Sequence, residues 1–217
     1  MRLSRLALVV GSFALLAGCS SSPSTGDRGQ APPSATVVRN RQGDSLPTVA
    51  QVTGRLLTLK DLPSGWTAQP VTGPQPSDTG LCNAGHPNAA TERIQVFDGP
   101  TPNTVIAENL YGFGSKMVAE TAYRYETSHA TCKEYRPPNT PFTISGLRPA
   151  ATLRVGPLSR GWQASIGNSQ TGVTQNADLL LIDAGSYNVA LIDRTTAQVN
   201  TALFDSTTRK ALAALSS

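Results

Sequence analysis

Hydrophobic residues are grouped in short runs separated by turn residues over most of the chain. Residues 94–97 and 105–111 are rich in β-branched and aromatic side chains on either side of an Asp98-Gly99-Pro100 turn signal, which predicts two strands of a meander. Residues 173–182 and 187–192 flank a second turn signal and are largely apolar from residue 177 onward, so a central hairpin is predicted there. Further strands are predicted at residues 66–71, 142–145, 151–155 and 161–167.

Two segments show helical spacing instead. Residues 116–133 follow Ser115 and carry a stripe of Val118, Ala122, Tyr125, His129 and Cys132 at helical spacing. A closing helix is predicted from Ser206 through Leu215, with Ala211 and Leu212 in its buried stripe. Strands that arrive in sequence, with one helix between them and one at the end, predict an α+β fold in which two main helices pack on one face of an antiparallel sheet.

The first residues have the charged, apolar and small-residue order of a secretory signal. Arg2 and Arg5 precede an apolar run over residues 6–16. At about eleven residues this run is shorter than the roughly 20 that span a bilayer, so we expect it to be removed. The alternative left open is an ordinary secreted protein in which the position of the following cysteine is accidental.

The end of that run, Leu16-Ala17-Gly18-Cys19, resembles a bacterial lipobox. The resemblance implies cleavage after Gly18 and a diacylglyceryl thioether on Cys19, with fatty acids such as palmitate. Two or three acyl chains give a stable membrane anchor, whereas one chain holds a protein only marginally. The expected location is therefore the extracytoplasmic side of the cell membrane, with the lipid on Cys19 as the link to the membrane.

Composition divides the remaining chain into a tether and one domain. Residues 19–48 are rich in Ser, Pro and Gly and poor in large apolar residues, which predicts a disordered tether. A chain of this kind keeps the domain within roughly 30 Å of the membrane. An extra edge strand over residues 36–38 is the alternative. Residues 49–217 are long enough for a single folded domain.

The charge balance argues against nucleic acid as a partner. The sequence has 18 Lys and Arg and 14 Asp and Glu, and two of the arginines leave with the signal, so the net charge of the remaining chain is +2. Charged residues make up 15% of the chain, below the usual quarter, and Gly and Pro are plentiful. Such a composition is typical of a secreted, turn-rich domain.

Cys82 and Cys132 remain as a pair once Cys19 is acylated. In an oxidising compartment a disulfide is the default for such a pair. Closing a loop of this length contributes about 4 kcal/mol by chain-entropy arithmetic. The alternative is a reactive thiol at Cys132, because His129 lies three residues earlier on the same predicted helix face.

The sequence shows no familiar catalytic or metal motif. His86 and His129 are too few for a histidine-rich metal site and lie in no His-Glu-x-x-His pattern. Gly-x-Ser-x-Gly, phosphate-loop and dinucleotide fingerprints do not occur either. We therefore expect no catalytic residue, metal or cofactor, and we expect His129 to be a partly exposed helix residue.

Two further residue pairs have alternative interpretations. Asp183 and Asp193 flank the predicted hairpin, where they either form a glycosidase-like carboxylate pair or cap turns. Trp66 and Trp162 are either core residues or the stacking wall of a cleft. Turn capping and core packing are the favoured interpretations.

Residues 50–217 resemble actinobacterial envelope lipoproteins, which are similar to the extracellular sensor domain of PknH-type serine/threonine kinases. The resemblance rests on the Leu-Leu-x-x-x-Asp-Leu-Pro-x-Gly-Trp segment at residues 56–66, Cys82 in a loop, a helix ending at Cys132, a run of strands and an Ala-rich last helix. It implies a twisted antiparallel sheet with helices flanking a cleft for a small ligand. Family members commonly have a second disulfide, which this sequence lacks.

These observations predict a non-catalytic, membrane-anchored, sensor-like module that binds a small envelope molecule, a lipid or an envelope protein. Two alternatives remain open. One is an envelope hydrolase with an unrecognised active site, and the other is a structural or scaffolding lipoprotein. The sequence assigns no ligand-binding residue.

Overall fold

The hydrophobic runs form an eight-stranded antiparallel sheet within the residues that the computed structural model describes, which are 45–74, 80–84, 89–153, 155 and 158–216. The strands are β1 (Thr67–Ala68), β2 (Thr91–Asp98), β3 (Val105–Gly112), β4 (Glu134–Tyr135), β5 (Phe142–Pro149), β6 (Ser159–Asn168), β7 (Thr174–Asp183) and β8 (Tyr187–Thr195). Their order across the sheet is β1-β2-β3-β8-β7-β6-β5-β4. The α+β class and the central position of the β7–β8 hairpin are confirmed.

Three α-helices accompany the sheet in the described part of the chain: α1 (Val49–Thr53), α2 (Lys116–His129) and α3 (Thr201–Leu215). The side chain of Ser115 caps α2 by accepting from the Val118 N–H at 3.4 Å. The helix ends four residues earlier than predicted because Ala130 leaves the helical conformation at ψ 58°. α3 begins earlier than predicted because the Asn200 side chain accepts from the Leu203 N–H at 3.1 Å.

Different helices cover the two faces of the sheet. Leu180 of β7 and Leu191 of β8 pair across the strands and share a core cluster with Phe204 of α3. Leu179 points to the opposite face, in a cluster with Tyr123 of α2. We call these the α3 face and the α2 face. The expectation that both main helices pack on one face is wrong, because a continuously apolar strand such as β7 is buried on both sides.

Residues 151–153, at the start of the strand predicted over residues 151–155, form a turn. The Leu153 N–H donates to the Ala150 carbonyl at 3.2 Å, and the Leu153 side chain is 5% exposed within the core of the α3 face. Gly161 lies directly beneath, where an added Cβ would be 2.4 Å from the Leu153 Cβ. The turn therefore packs on the sheet instead of extending it.

The two tryptophans are core residues, as favoured from the sequence. Trp66 is 8% exposed in the cluster of the α3 face, and Trp162 is 0% exposed in the cluster of the α2 face. The predicted leader, Cys19, most of the predicted tether and His86 lie outside the described residues.

Candidate functional site

The two remaining cysteines form the predicted disulfide. The Cys82 and Cys132 sulfurs are 2.05 Å apart, and the two Cα atoms are 5.7 Å apart. This bond excludes the alternative of a reactive thiol at Cys132. His129 is exposed, and its Nδ1 lies 2.7 Å from the Tyr125 carbonyl of the preceding turn. The structure thus agrees with the expected helix-surface role.

Asp183 and Asp193 do not form a carboxylate pair. Asp183 opposes Asn188 beside the hairpin turn, whereas Asp193 opposes Asp178 near the far end of the strands. Five positions at about 3.4 Å each separate the two sites by roughly 17 Å, and strand alternation places them on opposite faces. Asp183 accepts from the Gly185 N–H at 3.0 Å, so it caps the turn. The glycosidase interpretation of this pair is wrong.

An apolar groove of about 340 Å³ opens on the α2 face of the sheet. Its floor is built from the side chains of Ala107 (β3), Ile144 (β5), Ile166 (β6), Leu179 and Leu181 (β7), and Ala190 and Ile192 (β8). Its rim includes Gly80, Leu81, Tyr135, Pro137 and Thr140. We refer to this site as the apolar groove.

The groove exists because α2 covers only part of its face. Residues Ala119 and Ala122 of α2 pack with Tyr111 at one end of the sheet, and the helix then ends at His129. As a result, the β8 side chains on the two faces of the sheet differ in how far they are buried. Val189 and Leu191 on the α3 face are 0% exposed, whereas Ala190 and Ile192 on the α2 face are only half-buried. Apolar surface on the α2 face therefore remains accessible.

The disulfide ties the rim of the groove to the end of α2. The Leu81 N–H donates to Oε1 of the buried Glu126 at 3.2 Å, and the Cys132 N–H donates to the Cys82 sulfur at 3.2 Å. Leu81 precedes Cys82 directly, and Tyr135 follows Cys132 by three residues. Both rim segments are thus fixed by one covalent bond.

Polar side chains line a second cavity, of about 470 Å³, on the α3 face next to the start of α3. Arg148 donates to Gln163 at 3.3 Å, and Gln163 donates to Asp178 at 3.1 Å. Asp178 pairs across the strands with Asp193, and each is 3% exposed. We call this the polar cavity.

The two carboxyl groups beside the polar cavity titrate above their ordinary range. Burial, followed by the charge of Asp178, raises the pKa of Asp193 to about 7. Burial also raises the pKa of Asp178, and the hydrogen bond from Gln163 opposes that shift. Two like charges on neighbouring strands cannot both form easily, so the pair tends to hold one proton.

The described residues contain no group of three or more His, Cys, Asp or Glu side chains that could hold a metal ion. In the same part of the chain, no helix is long and apolar enough to cross a membrane.

Comparison with known proteins identifies the fold. The chain is similar to the crystal structure of the extracellular domain of PknH from Mycobacterium tuberculosis, with a TM-score of 0.53 and 11% sequence identity over 80% of this chain and 99% of that domain. No protein-family model matches the sequence. No curated protein matches it either. The resemblance in sheet and helix arrangement is thus a shared fold.

The family resemblance implied a cleft, but the sequence assigned no residues to it and did not indicate the Asp178–Asp193 pair. Asp178 interrupts an apolar run, which was the one local signal of a buried carboxyl group. The pairing of Asp178 with Asp193 depends on the register of β7 and β8. The groove depends on the position at which α2 ends.

Proposed function

We propose that this protein is a membrane-anchored extracytoplasmic lipoprotein whose domain binds an apolar or amphiphilic envelope ligand in the apolar groove. The accessible apolar floor of the groove carries this proposal. Ala190 and Ile192 are half-buried while their neighbours on the α3 face are completely buried. A volume near 340 Å³ with mostly apolar walls is within the range of small-molecule sites.

Three features support the proposed location. The Leu16–Cys19 lipobox supports acylation of Cys19 after removal of residues 1–18. The Cys82–Cys132 disulfide suits an oxidising compartment. The fold is that of a domain described as extracellular in its own protein. On this proposal residues 19–48 are the lipidated tether and residues 49–217 form the binding domain.

Acylation is tested on the native protein. We expect mass spectrometry to find an amino-terminal peptide that begins at a diacylated or triacylated Cys19. The Cys19→Ala variant should then lose its membrane fraction or retain its leader. An unmodified amino terminus would contradict the proposed anchor without affecting the binding proposal.

Ligand binding is tested by thermal unfolding of residues 20–217 with dodecanol as the probe. Saturation at about 100 times Kd stabilises a folded protein by about 2.7 kcal/mol, which raises the melting temperature by roughly 5–10 °C for a domain of this size. We expect Ala107→Phe to abolish the shift because its ring fills the groove floor. Ala202→Phe, at an exposed position on α3, is the matched control. Equal shifts in both variants would refute binding in the groove.

A second candidate function, hydrolysis, has one observation in its favour. The buried carboxyl groups of Asp178 and Asp193 oppose each other beside the polar cavity, and some hydrolases use two neighbouring carboxyl groups for acid–base catalysis. Turnover of a glycoside or peptide that is lost in Asp193→Asn but retained in His129→Ala would support it. If the protein turns over none of these substrates, hydrolysis is refuted and the binding function remains. The alternative of a scaffolding lipoprotein stays a prediction, and crosslinking to a partner protein in intact cells would test it.

A further inference from the structure

Arg194 lies at one end of the apolar groove. It follows Ile192 by two positions on β8, so both side chains are on the α2 face about 7 Å apart along the strand. The guanidinium carbon is 5.0 Å from the ring centroid of Phe142. Phe142 lines both the groove and the adjoining cavity that contains Arg194. The positive charge of Arg194 therefore lies next to the apolar surface of the groove, at the Phe142 ring.

Within the described part of the chain, no ion pair neutralises the charge of Arg194. No carboxylate among the described residues lies within 4.0 Å of this half-buried guanidinium, which packs over the Phe142 ring. Burial lowers the pKa of Arg194, and the more distant Asp98 acts in the opposite direction. Asp98 itself accepts from Gln69 at 3.0 Å. Arginine stays protonated in proteins, so a desolvated positive charge remains here.

We propose that the apolar groove selects single-chain fatty acids, with the acyl chain on its floor and the carboxylate on Arg194; this inference rests on the function proposed above. A volume of about 340 Å³ is near the lower end for ligand sites, which suits one chain better than two. The planar guanidinium binds a carboxylate through two parallel hydrogen bonds.

Asp98 restricts the head group further. Its carboxylate approaches the same end of the sheet, where it opposes Val105 on β3, and Val105 opposes Arg194 on β8. The attraction of a head group to this site grows in proportion to its charge and is weakened by Asp98, whereas the cost of desolvating the head group grows with the square of its charge. The groove thus favours a carboxylate over a phosphate monoester.

The test compares head groups on one chain length by calorimetric titration of residues 20–217. Dodecanoate should bind at least roughly tenfold tighter than dodecanol, as expected for a charge-assisted hydrogen bond, and tighter than dodecyl phosphate or dodecyltrimethylammonium. The preference should weaken as salt is raised. Arg194→Gln should bring dodecanoate to the affinity of dodecanol, and Arg194→Lys should restore part of the preference. Arg209→Gln, at an exposed position on α3, is the matched control and should change nothing.

The outcomes separate this inference from the proposed function. Equal binding of dodecanoate and dodecanol to the unaltered chain would overturn the role of Arg194 while leaving an apolar ligand in place. Tighter binding of dodecyl phosphate would overturn the choice of head group. No binding of any of these amphiphiles would overturn the proposed function itself. The order of the four affinities measured on the unaltered chain tests the preference for a carboxylate head group even if an Arg194 variant does not fold.

Discussion

Glu108 makes the stability of the domain depend on pH. It is 0% exposed in β3, and its Oε2 accepts from the Leu57 N–H at 2.7 Å. Burial is the main cause that raises its pKa from 4.5 to about 7, against the effect of the Leu57 hydrogen bond. The folded protein therefore binds this proton more tightly than the unfolded chain does.

The sign and size of the effect follow from proton linkage. A carboxyl group with a raised folded-state pKa contributes stability that is fully present below pH 4.5 and is lost as pH rises through about 7. A shift of about 2.5 units at about 1.4 kcal/mol each corresponds to roughly 3 kcal/mol. We expect the free energy of unfolding to fall by about this amount between pH 4.5 and pH 8.5 on account of Glu108.

The Glu108→Gln variant tests this expectation by urea unfolding followed through tryptophan fluorescence. The amide oxygen can still accept from Leu57, but the side chain no longer titrates. Oε1 of Glu108 has no hydrogen-bond partner within the described residues, so the new amide group carries a cost that does not vary with pH. The readout is therefore the change in stability with pH, which should be smaller in the variant by roughly 3 kcal/mol.

A matched control is Glu134→Gln, which alters an exposed carboxyl group on β4. It should leave the pH dependence unchanged. Some dependence of the same sign remains in Glu108→Gln because the pKa of Asp193 is also raised. If Glu108→Gln and the unaltered chain lose the same free energy over this pH range, the assignment to Glu108 is refuted.

Three further predictions follow from packing, covalent structure and charge. Gly161→Ala should destabilise the domain by about 1–3 kcal/mol in urea unfolding, because its Cβ would overlap the Leu153 turn. Cys132→Ser should cost about 4 kcal/mol in the same assay through loss of the disulfide, and should weaken dodecanol binding because the groove rim is released. Asp178→Asn should lower the pKa of Asp193, measured by carboxyl carbon NMR, because a like charge is removed.

Each of these predictions has a contrary result. Gly167→Ala is the control in the same strand, since its nearest contact would be 4.0 Å away, and equal costs at both glycines would contradict the overlap. Unchanged dodecanol affinity in Cys132→Ser would show that the rim holds without the disulfide. An Asp193 titration that does not move would mean that burial alone sets its pKa.

Local sequence patterns predicted much of the sheet. The β7–β8 hairpin was predictable because its apolar runs flank a clear turn signal. The start of α3 was missed because the polar residues 205–209 separate Leu203 and Phe204 from the later apolar stripe. The strand predicted at residues 151–155 was wrong because apolar residues in a turn can also reach the core, as Leu153 does.

The candidate site was less accessible to sequence reasoning because it depends on contacts between distant segments. An apolar helix stripe shows that a helix covers a surface but not which face of the sheet it covers. The Asp178–Asp193 pair follows from strand register, which no local pattern specifies. The position of Arg194 beside Phe142 joins β8 to β5, which are separated in the sheet by β7 and β6.

The most direct test of ligand binding in the apolar groove is a methyl NMR titration of residues 20–217 with dodecanoate. Neighbouring residues of β7 and β8 provide the control, because strand alternation places them on opposite faces. The methyl signals of Leu179 and Ile192 should shift and show contacts to the acyl chain, whereas those of Ile182 and Val189, in the core of the α3 face, should not. Shifts confined to Ile182 and Val189, or none at all at saturating dodecanoate, would contradict the account.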